Sequence, residues 1–292
     1  MADAVRYQTD VGMGYRLRRR LTEGVVYLIL LVVSIESLYP MVMMVINSFK
    51  TDSAVLVNPV GLPSPPTLVS YQTMINYHSG IAVNFWVSTV VSVSSTVLAV
   101  LFAAMAGYAL AKYRFRGRDA IFAALLATLM VPGEITIPGL YVLFARLHWL
   151  NTYQVQILPA IPTVFGLFLI RQYMLDIPDA LLEAARIDGA GHWQTFTQIM
   201  LPAAAPILGA LAILQFLGTW NSYLWPLLVA NDPSIEPIMV VLPSIHDTVV
   251  GFFVPWGTVM AGSVLATLPL VAIFLIFQNW FLSGVVIGAV KE

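Results

Sequence analysis

Residues 176–202 read Asp-Ile-Pro-Asp-Ala-Leu-Leu-Glu-Ala-Ala-Arg-Ile-Asp-Gly-Ala-Gly-His-Trp-Gln-Thr-Phe-Thr-Gln-Ile-Met-Leu-Pro, the longest polar interruption between two strongly apolar spans. Pro178 and Asp179 suit the first turn of a helix. Proline there forfeits no intrahelical bond, and an acid favours the positive helix end. Leu181 through Ile187 are good helix formers, and Gly189 and Gly191 offer a stop. Residues 192–200 can resume a second short helix, and Leu201-Pro202 enters the next span. The pattern predicts a helix–turn–helix held at a membrane surface. Ala184 and Ala185 leave a low surface that a partner can approach closely. Glu183 offers one carboxylate to a cation, and the glycines permit a sharp turn. A plainer alternative is an amphipathic linker in which Glu183 pairs with Arg186 one turn on.

The rest of the chain is what a membrane requires. Of 292 residues, 59% are hydrophobic and 10% charged, with mean hydropathy +0.84, against about 25% charge in soluble domains. This composition predicts a polytopic, all-α membrane protein. The net charge of −1 implies no nucleic-acid partner. No cysteine is present, and His78, His148, His192 and His246 are scattered without ligand spacing, so no metal site is expected.

Six spans are predicted. Residues 1–23 form a polar head with Arg6, Arg16, Arg18, Arg19 and Arg20. An apolar stretch at 24–46 follows, long enough to span and without a small-residue cleavage site. It contains Glu36, and an acid at that depth normally faces protein or water. Residues 47–84 form a long loop whose prolines at 59, 63, 65 and 66 forbid a continuous helix in its first half. Within it, residues 67–77 read as an interfacial segment anchored by Tyr71 and Tyr77. The second span, 85–111, carries Ala99, Ala103, Gly107 and Ala111 every four residues, a packing stripe. A third span at 120–145 is interrupted at Pro132-Gly133-Glu134 and again at Pro138-Gly139. A fourth runs 153–173 with Pro159 and Pro162, a fifth 203–229 and a sixth 256–282. The expected division is thus a head (1–23), a six-helix domain (24–282) that includes the 176–202 loop, and a tail (283–292).

Charge orients the chain. Arg6, the arginines at 16–20, the cations Lys112, Arg114, Arg116 and Arg118, then Arg171, Arg186 and Lys291 fall on the side of the N-terminus; only Lys50 and Arg146 fall opposite. By the positive-inside rule both termini and the 176–202 loop are cytoplasmic. No G-x-x-x-x-G-K-[ST] loop occurs, and Gly12-x-Gly14 and Gly189-x-Gly191 lack the preceding strand such a loop needs. No Ser/His/Asp or paired-carboxylate arrangement stands out. The chain is read as neither an ATPase nor another enzyme, so energy comes from a partner.

Glu183-Ala184-Ala185, then Asp188-Gly189-Ala190, Phe196 and Ile199-x-Leu201-Pro202 resemble the EAA loop of the membrane subunits of ABC importers. The six-span layout resembles the maltose-type importer permeases. So do Gly107-Tyr108-Ala109-Leu110-Ala111, Val131-Pro132 with Ile137-Pro138, Trp220-Asn221 with Trp225-Pro226, and the tail Gly288-Ala289-Val290-Lys291. The likeness covers the chain from about residue 25 to the end, and it implies the shorter of two permeases in the bacterial inner membrane. In that family the EAA loop is the coupling helix, seated in a cleft of a separate ATPase subunit. The resemblance implies a second permease, two ATPase subunits that bind ATP and magnesium, and an extracytoplasmic solute-binding protein that delivers a carbohydrate. This chain itself would hold no cofactor. The tail at Ala289, Val290 and Lys291 would reach the ATPase, and about residues 242–253 would probe the binding protein.

A translocation path is lined by groups that are costly in lipid. Glu134 follows a helix-breaking Pro-Gly, and broken helices are tolerated only against protein or a wet cavity. It is read as pore-lining or as a buried acid packing two helices. Trp220, Asn221, Tyr223 and Trp225 suit sugars, whose C–H faces lie on rings while hydroxyls need hydrogen bonds; they equally suit interfacial anchoring. Similar permeases carry glycerol phosphates and acidic sugars, yet the span interiors show no lysine or arginine for an anion. A rival class is a proton-coupled secondary transporter with Glu36 and Glu134 as relay. A passive scaffold, the third class, leaves the broken third helix unexplained.

Overall fold

The computed structural model describes residues 2–77, 80–245 and 254–289, apart from the side chains of 2–17, 19 and 279–289. Among the described residues the secondary structure is helical, without strands. Helix α1 (Ala2–Ser48) continues without a break from the basic head into the apolar span. Its Pro40 has no N–H to give the Glu36 carbonyl one turn back. Short helices α2 (Asp52–Val57) and α3 (Val69–Ile75) follow, then α4 (Ile81–Lys112), α5 (Arg118–Thr128) and α6 (Gly133–Arg146). Next come α7 (Tyr153–Ile157), a 3₁₀ turn at Leu158–Ala160, α8 (Val164–Asp176) and α9 (Ala180–Ile187). Helix α10 (His192–Gln194) passes through a π turn, Thr195–Met200, into α11 (Leu201–Ala203). The chain ends with α12 (Ala205–Trp220), α13 (Leu224–Val229), α14 (Ile238–Ser244) and α15 (Trp256–Ala289).

Three helical stretches are long and apolar enough to cross a membrane, Arg20–Ser48, Ile81–Lys112 and Trp256–Gln278. Three bent pairs bring the total to six if each pair is counted as one span: α5 with α6 at 95°, Tyr153–Ala160 with α8 at 42°, and His192–Ala203 with α12 at 77°. Prolines account for the bends. Pro132, at the N-cap of α6, restrains Val131 from helical geometry. Pro159 lies in the 3₁₀ turn and Pro206 in the first turn of α12.

Two expected features differ. The second interruption of the third span is absent, because α6 runs through Pro138. The fifth span does not run unbroken from 203 to 229. It stops at Trp220, where Asn221 turns its Nδ2 back onto the Leu217 carbonyl at 2.8 Å, and α13 begins at Leu224, three residues after Asn221. Asparagine and serine side chains compete for backbone groups in this way, and Pro226 lacks the N–H that would continue the helix to Ser222.

Helix α4 is the centre of the packing, lying mainly against α8 and α12. At Gly107 an added Cβ would stand 2.8 Å from Ile170 Cγ2 and 3.2 Å from the Arg171 nitrogen, so glycine sets the approach of α8. The loop after α1 folds back onto α15. Lys50, 3% exposed, donates to Asn47 Oδ1 and the Asn58 carbonyl, each at 2.8 Å, and burial pushes its ammonium pKa down. Asp52 accepts from the Thr258 N–H at 2.9 Å. Tyr71, expected to anchor at the interface, packs on Phe49 and hydrogen-bonds Ser48 Oγ at 2.8 Å. The apolar stretch of α1, in contrast, is exposed within the chain and touches α15 along one side. Such a surface needs lipid or protein around it.

Candidate functional site

The 176–202 segment is a built surface with a fixed back and an open front. Lys112, at the end of α4, donates from Nζ to Asp179 Oδ1 at 2.7 Å and to the Ile177 carbonyl at 2.6 Å. This ties the start of α9 to α4. The hydrogen bond and charge of Lys112 hold the Asp179 carboxyl below the usual carboxylate range. Helix α9 ends in a Schellman motif: the Gly189 N–H donates to Arg186 O at 3.1 Å and the Ala190 N–H to Ala185 O at 2.9 Å. Gly189 supplies the left-handed φ of +79° that this motif requires. The next turn opens with one half of a capping box, Gly191 N–H donating to Gln194 Oε1 at 3.0 Å, and the first helical bond follows from Thr195 N–H to Gly191 O at 2.9 Å. Tyr113 Oη and His192 Nδ1 lie 2.8 Å apart, a second tie to α4.

Burial separates the two alanines of the motif. Leu182 and Ala185 are buried, and Leu182 joins Tyr108, Ile170, Met174, Phe196, Met200 and Leu211 in one apolar cluster. Phe196 stacks on Tyr108 with ring centres 5.4 Å apart. Glu183, Ala184, Ile187, Asp188 and Gly189 are exposed. Only Ala184 therefore contributes to the low outer surface expected of both alanines. Leu201 is half-buried against the same cluster and Pro202 is exposed. Among the described residues Glu183 has no ion-pair partner, and the linker reading in which it pairs with Arg186 is not what the chain does. Ile187 is 85% exposed and Trp193 62%, an apolar pair on an otherwise polar surface.

Sequence reasoning missed two fastening residues. It counted Lys112 and Arg171 as topology charges. Arg171 Nε donates to the Leu110 carbonyl at 3.3 Å, and its guanidinium lies 3.9 Å from the centre of the Phe122 ring and 3.8 Å from Asp119. The signal available was weak, since each partner is distant in sequence.

The residues expected along a path do not form one wall. Trp220 is 2% exposed, and its Nε1 donates to the Ala266 carbonyl at 3.2 Å while its ring packs on Phe216 and Phe85. It is neither an interfacial anchor nor a free wall in this conformation. Asn221 and Tyr223 are exposed beside the helix break. Trp225 is half-buried, with Nε1 donating to Val155 O at 2.8 Å, and it lines a cavity of about 260 Å³ between α4, α7, α12 and α13. Glu134 is exposed in the first turn of α6, where the helix dipole favours an acid, so it packs no two helices of this chain together. Glu36 is exposed on α1. Ala289 ends α15; Val290, Lys291 and residues 246–253 of the expected docking loop lie outside the described residues.

Residues 96–287 match the family described as the binding-protein-dependent transport system inner membrane component. The chain is 35% identical over 266 residues to the arabinooligosaccharides transport system permease protein AraQ of Halalkalibacterium halodurans, covering 87% of this chain and 91% of that one. It is 32% identical over 277 residues to the lactose transport system permease protein LacG of Rhizobium radiobacter, covering 94% and 98%. Its fold is similar to a chain of a bacterial ABC transporter involved in the import of the acidic polysaccharide alginate, with a TM-score of 0.80, 23% identity, and 90% and 97% of the two chains covered. The matched region takes in the broken third span, the fastened 176–202 segment and α12, so a multi-pass helical chain with this surface is a permease subunit and belongs to the family of inner membrane components of binding-protein-dependent transport systems.

Proposed function

We propose that this permease serves an ATP-driven importer of a carbohydrate, an oligosaccharide above all. Its N-terminus, basic loop, coupling segment and C-terminus then lie in the cytoplasm. The partners are a second permease, two ATPase subunits that bind ATP and magnesium, and an extracytoplasmic solute-binding protein. The names of the curated relatives support the carbohydrate class, and the positive-inside count supports the orientation. The observation that carries the coupling role is the surface of α9. Glu183, Ala184, Ile187 and Asp188 are open to a partner, while Leu182 and the Lys112–Asp179 pair fix the back of the helix to α4.

The mechanism is conformational. ATP binding closes the ATPase pair and displaces α9. Because α9, the π turn, α4 and α8 share one packed cluster, they move together as a body. The permeases then exchange an inward-open for an outward-open arrangement, biased by the partner's ligand. The proton-relay alternative places Glu36 and Glu134 in series, yet the two carboxylates share no hydrogen bond or ion pair among the described residues.

The test is ATP hydrolysis and uptake by the assembled complex in lipid, with and without binding protein loaded with candidate saccharides. Stimulation by a loaded form is expected. Uptake that persists without an ATPase and collapses under a protonophore would sink the proposal and make Glu134 the residue to mutate. Replacing Glu183 with Lys should abolish sugar-stimulated hydrolysis without loss of assembled permease; unchanged uptake would remove α9 from the coupling role.

A further inference from the structure

We infer that the cavity between α4, α7, α12 and α13 is a pocket for one ring of a neutral saccharide. This rests on the importer reading above and narrows its substrate class. Ser92, 1% exposed, and Gln156, 3% exposed, both line the cavity, and among the described residues neither Ser92 Oγ nor Gln156 Oε1 has a hydrogen-bond partner. Buried polar atoms are normally satisfied, so an unfilled pair beside one cavity marks a place where a ligand or water completes the bonding. Gln156 Nε2 is already held by the Ile235 carbonyl at 3.0 Å, so its oxygen is fixed as an acceptor. Gln215, Thr219 and Ser222 add further neutral polar groups to the wall. Gln215 is held likewise, donating from Nε2 to Ala160 O at 2.8 Å.

Trp225 supplies the apolar side. Its indole N–H is spent on Val155, so the ring is oriented and offers carbon surface instead of a donor. Sugars present both characters, C–H faces for a ring and hydroxyls for amides and hydroxyls. The volume of about 260 Å³ lies below the range of about 300–1,000 Å³ for drug-sized ligands, which suits a single ring. No Lys, Arg, His, Asp or Glu lines the cavity. A phosphate or uronate carboxylate would lose its water there and gain no cation, so anionic rings are disfavoured. Ser92 precedes Lys112 by twenty residues of one helix, about 30 Å at 1.5 Å per residue. The pocket is thus far from the coupling surface yet on the same rod.

Gly218 gives the test its handle. It lines the cavity, and an added Cβ there meets nothing within 4 Å. The first atom of a side chain at Gly218 therefore meets no clash, and Gly218→Leu adds bulk at the wall of the cavity. Gly24, equally open but on α1, provides a matched Gly24→Leu control. The assembled importer, in vesicles with its own binding protein, is assayed for ATP-driven uptake of labelled lactose, a neutral pentose trisaccharide and a uronate trisaccharide. Co-purification of the ATPase checks assembly of every variant. The expected result is uptake of a neutral probe that falls at least about tenfold in Gly218→Leu but not in Gly24→Leu. Ser92→Ala and Gln156→Leu should each lower it about three- to tenfold, as loss of one hydrogen bond predicts. Unchanged uptake in Gly218→Leu overturns the pocket and leaves a water-filled structural cavity. Uptake of the uronate probe alone overturns the neutral class while the importer reading stands. No ATP-driven uptake of any saccharide overturns both.

Discussion

Between Ala99 and Ala111, α4 buries alanine, glycine, leucine and tyrosine against α8 and the 176–202 segment; between Asn84 and Thr96 it buries an amide and four hydroxyls as well. At the first end small residues bring helices close and aromatic rings close the gaps, so a push on α9 has little slack to absorb it. At the other end Asn84 donates to the Glu236 carbonyl and Ser88 accepts from the Ile238 N–H, each at 2.8 Å. Ser92, Ser95 and Thr96 keep hydroxyls without partners. One helix thus joins a tight apolar grip to a polar region with bonding capacity in reserve. A transport subunit needs both, a part that moves as a body and a part that can exchange partners.

The largest expected effect belongs to the grip. Phe196 is 3% exposed and stacked on Tyr108. Phe196→Ala should destabilise the permease by about 3–5 kcal/mol, the range for deleting a buried aromatic ring. Thermal unfolding of the purified protein in lipid nanodiscs reads this directly. A shift no larger than a surface substitution gives would mean the cluster is not close-packed. Gly107→Val comes next. Its Cβ would meet Ile170 and the backbone of Arg171, and overpacking of that kind costs about 1–3 kcal/mol. Coupling should suffer with stability here, because α8 leads into Asp179. A variant that keeps wild-type stability and full uptake would dissolve the contrast from the grip side.

How much of this was legible in the sequence divides along the same line. The 176–202 segment was readable because its shape is written locally, in Pro178, the Gly189 stop and the turn at Gly191, each acting within four residues. The bend of the third span at Pro132 was readable for the same reason, since proline acts on its own backbone; Pro159 and Pro162 were visible in the fourth span without a bend being drawn from them. The Lys112–Asp179 pair spans 67 residues and depends on where α8 returns to α4, which no local pattern contains. Trp220 was read with its neighbours at a span's end, but the end came earlier than expected and the ring turned into the core. Asn84, Ser88, Ser92 and Thr96 follow the same four-residue step as the alanine stripe below them. That continuation was available to periodicity, and attention to small residues alone passed over it.

The polar region predicts a smaller effect of opposite sign. Ser95 is fully buried with an unpartnered hydroxyl and lies outside the cavity lining. Ser95→Ala removes a group whose burial is uncompensated, so stability should hold or rise by about 1 kcal/mol. A loss of that size or more would show that Ser95 has a partner in the assembled complex, and would turn the reserve into an interface.

The smallest effect tests what fastens the grip. Asp179 is exposed, so its pair with Lys112 is screened by water and salt and contributes little to stability. Its pH dependence is nonetheless specific. The folded carboxyl titrates below its usual value of 3.8, chiefly through the Lys112 hydrogen bond and charge, so its contribution is complete above 3.8 and is lost as pH falls through the lower folded value. The stability difference between the wild type and Asp179→Asn should therefore stay level between pH 7 and about pH 5, and shrink only in stronger acid. Lys112→Met should remove most of the difference, leaving only the weaker pull of Arg114 and Arg186 on the carboxylate. A difference that changes between pH 5 and 7 would mean that the Lys112–Asp179 pair is not what sets the pH dependence.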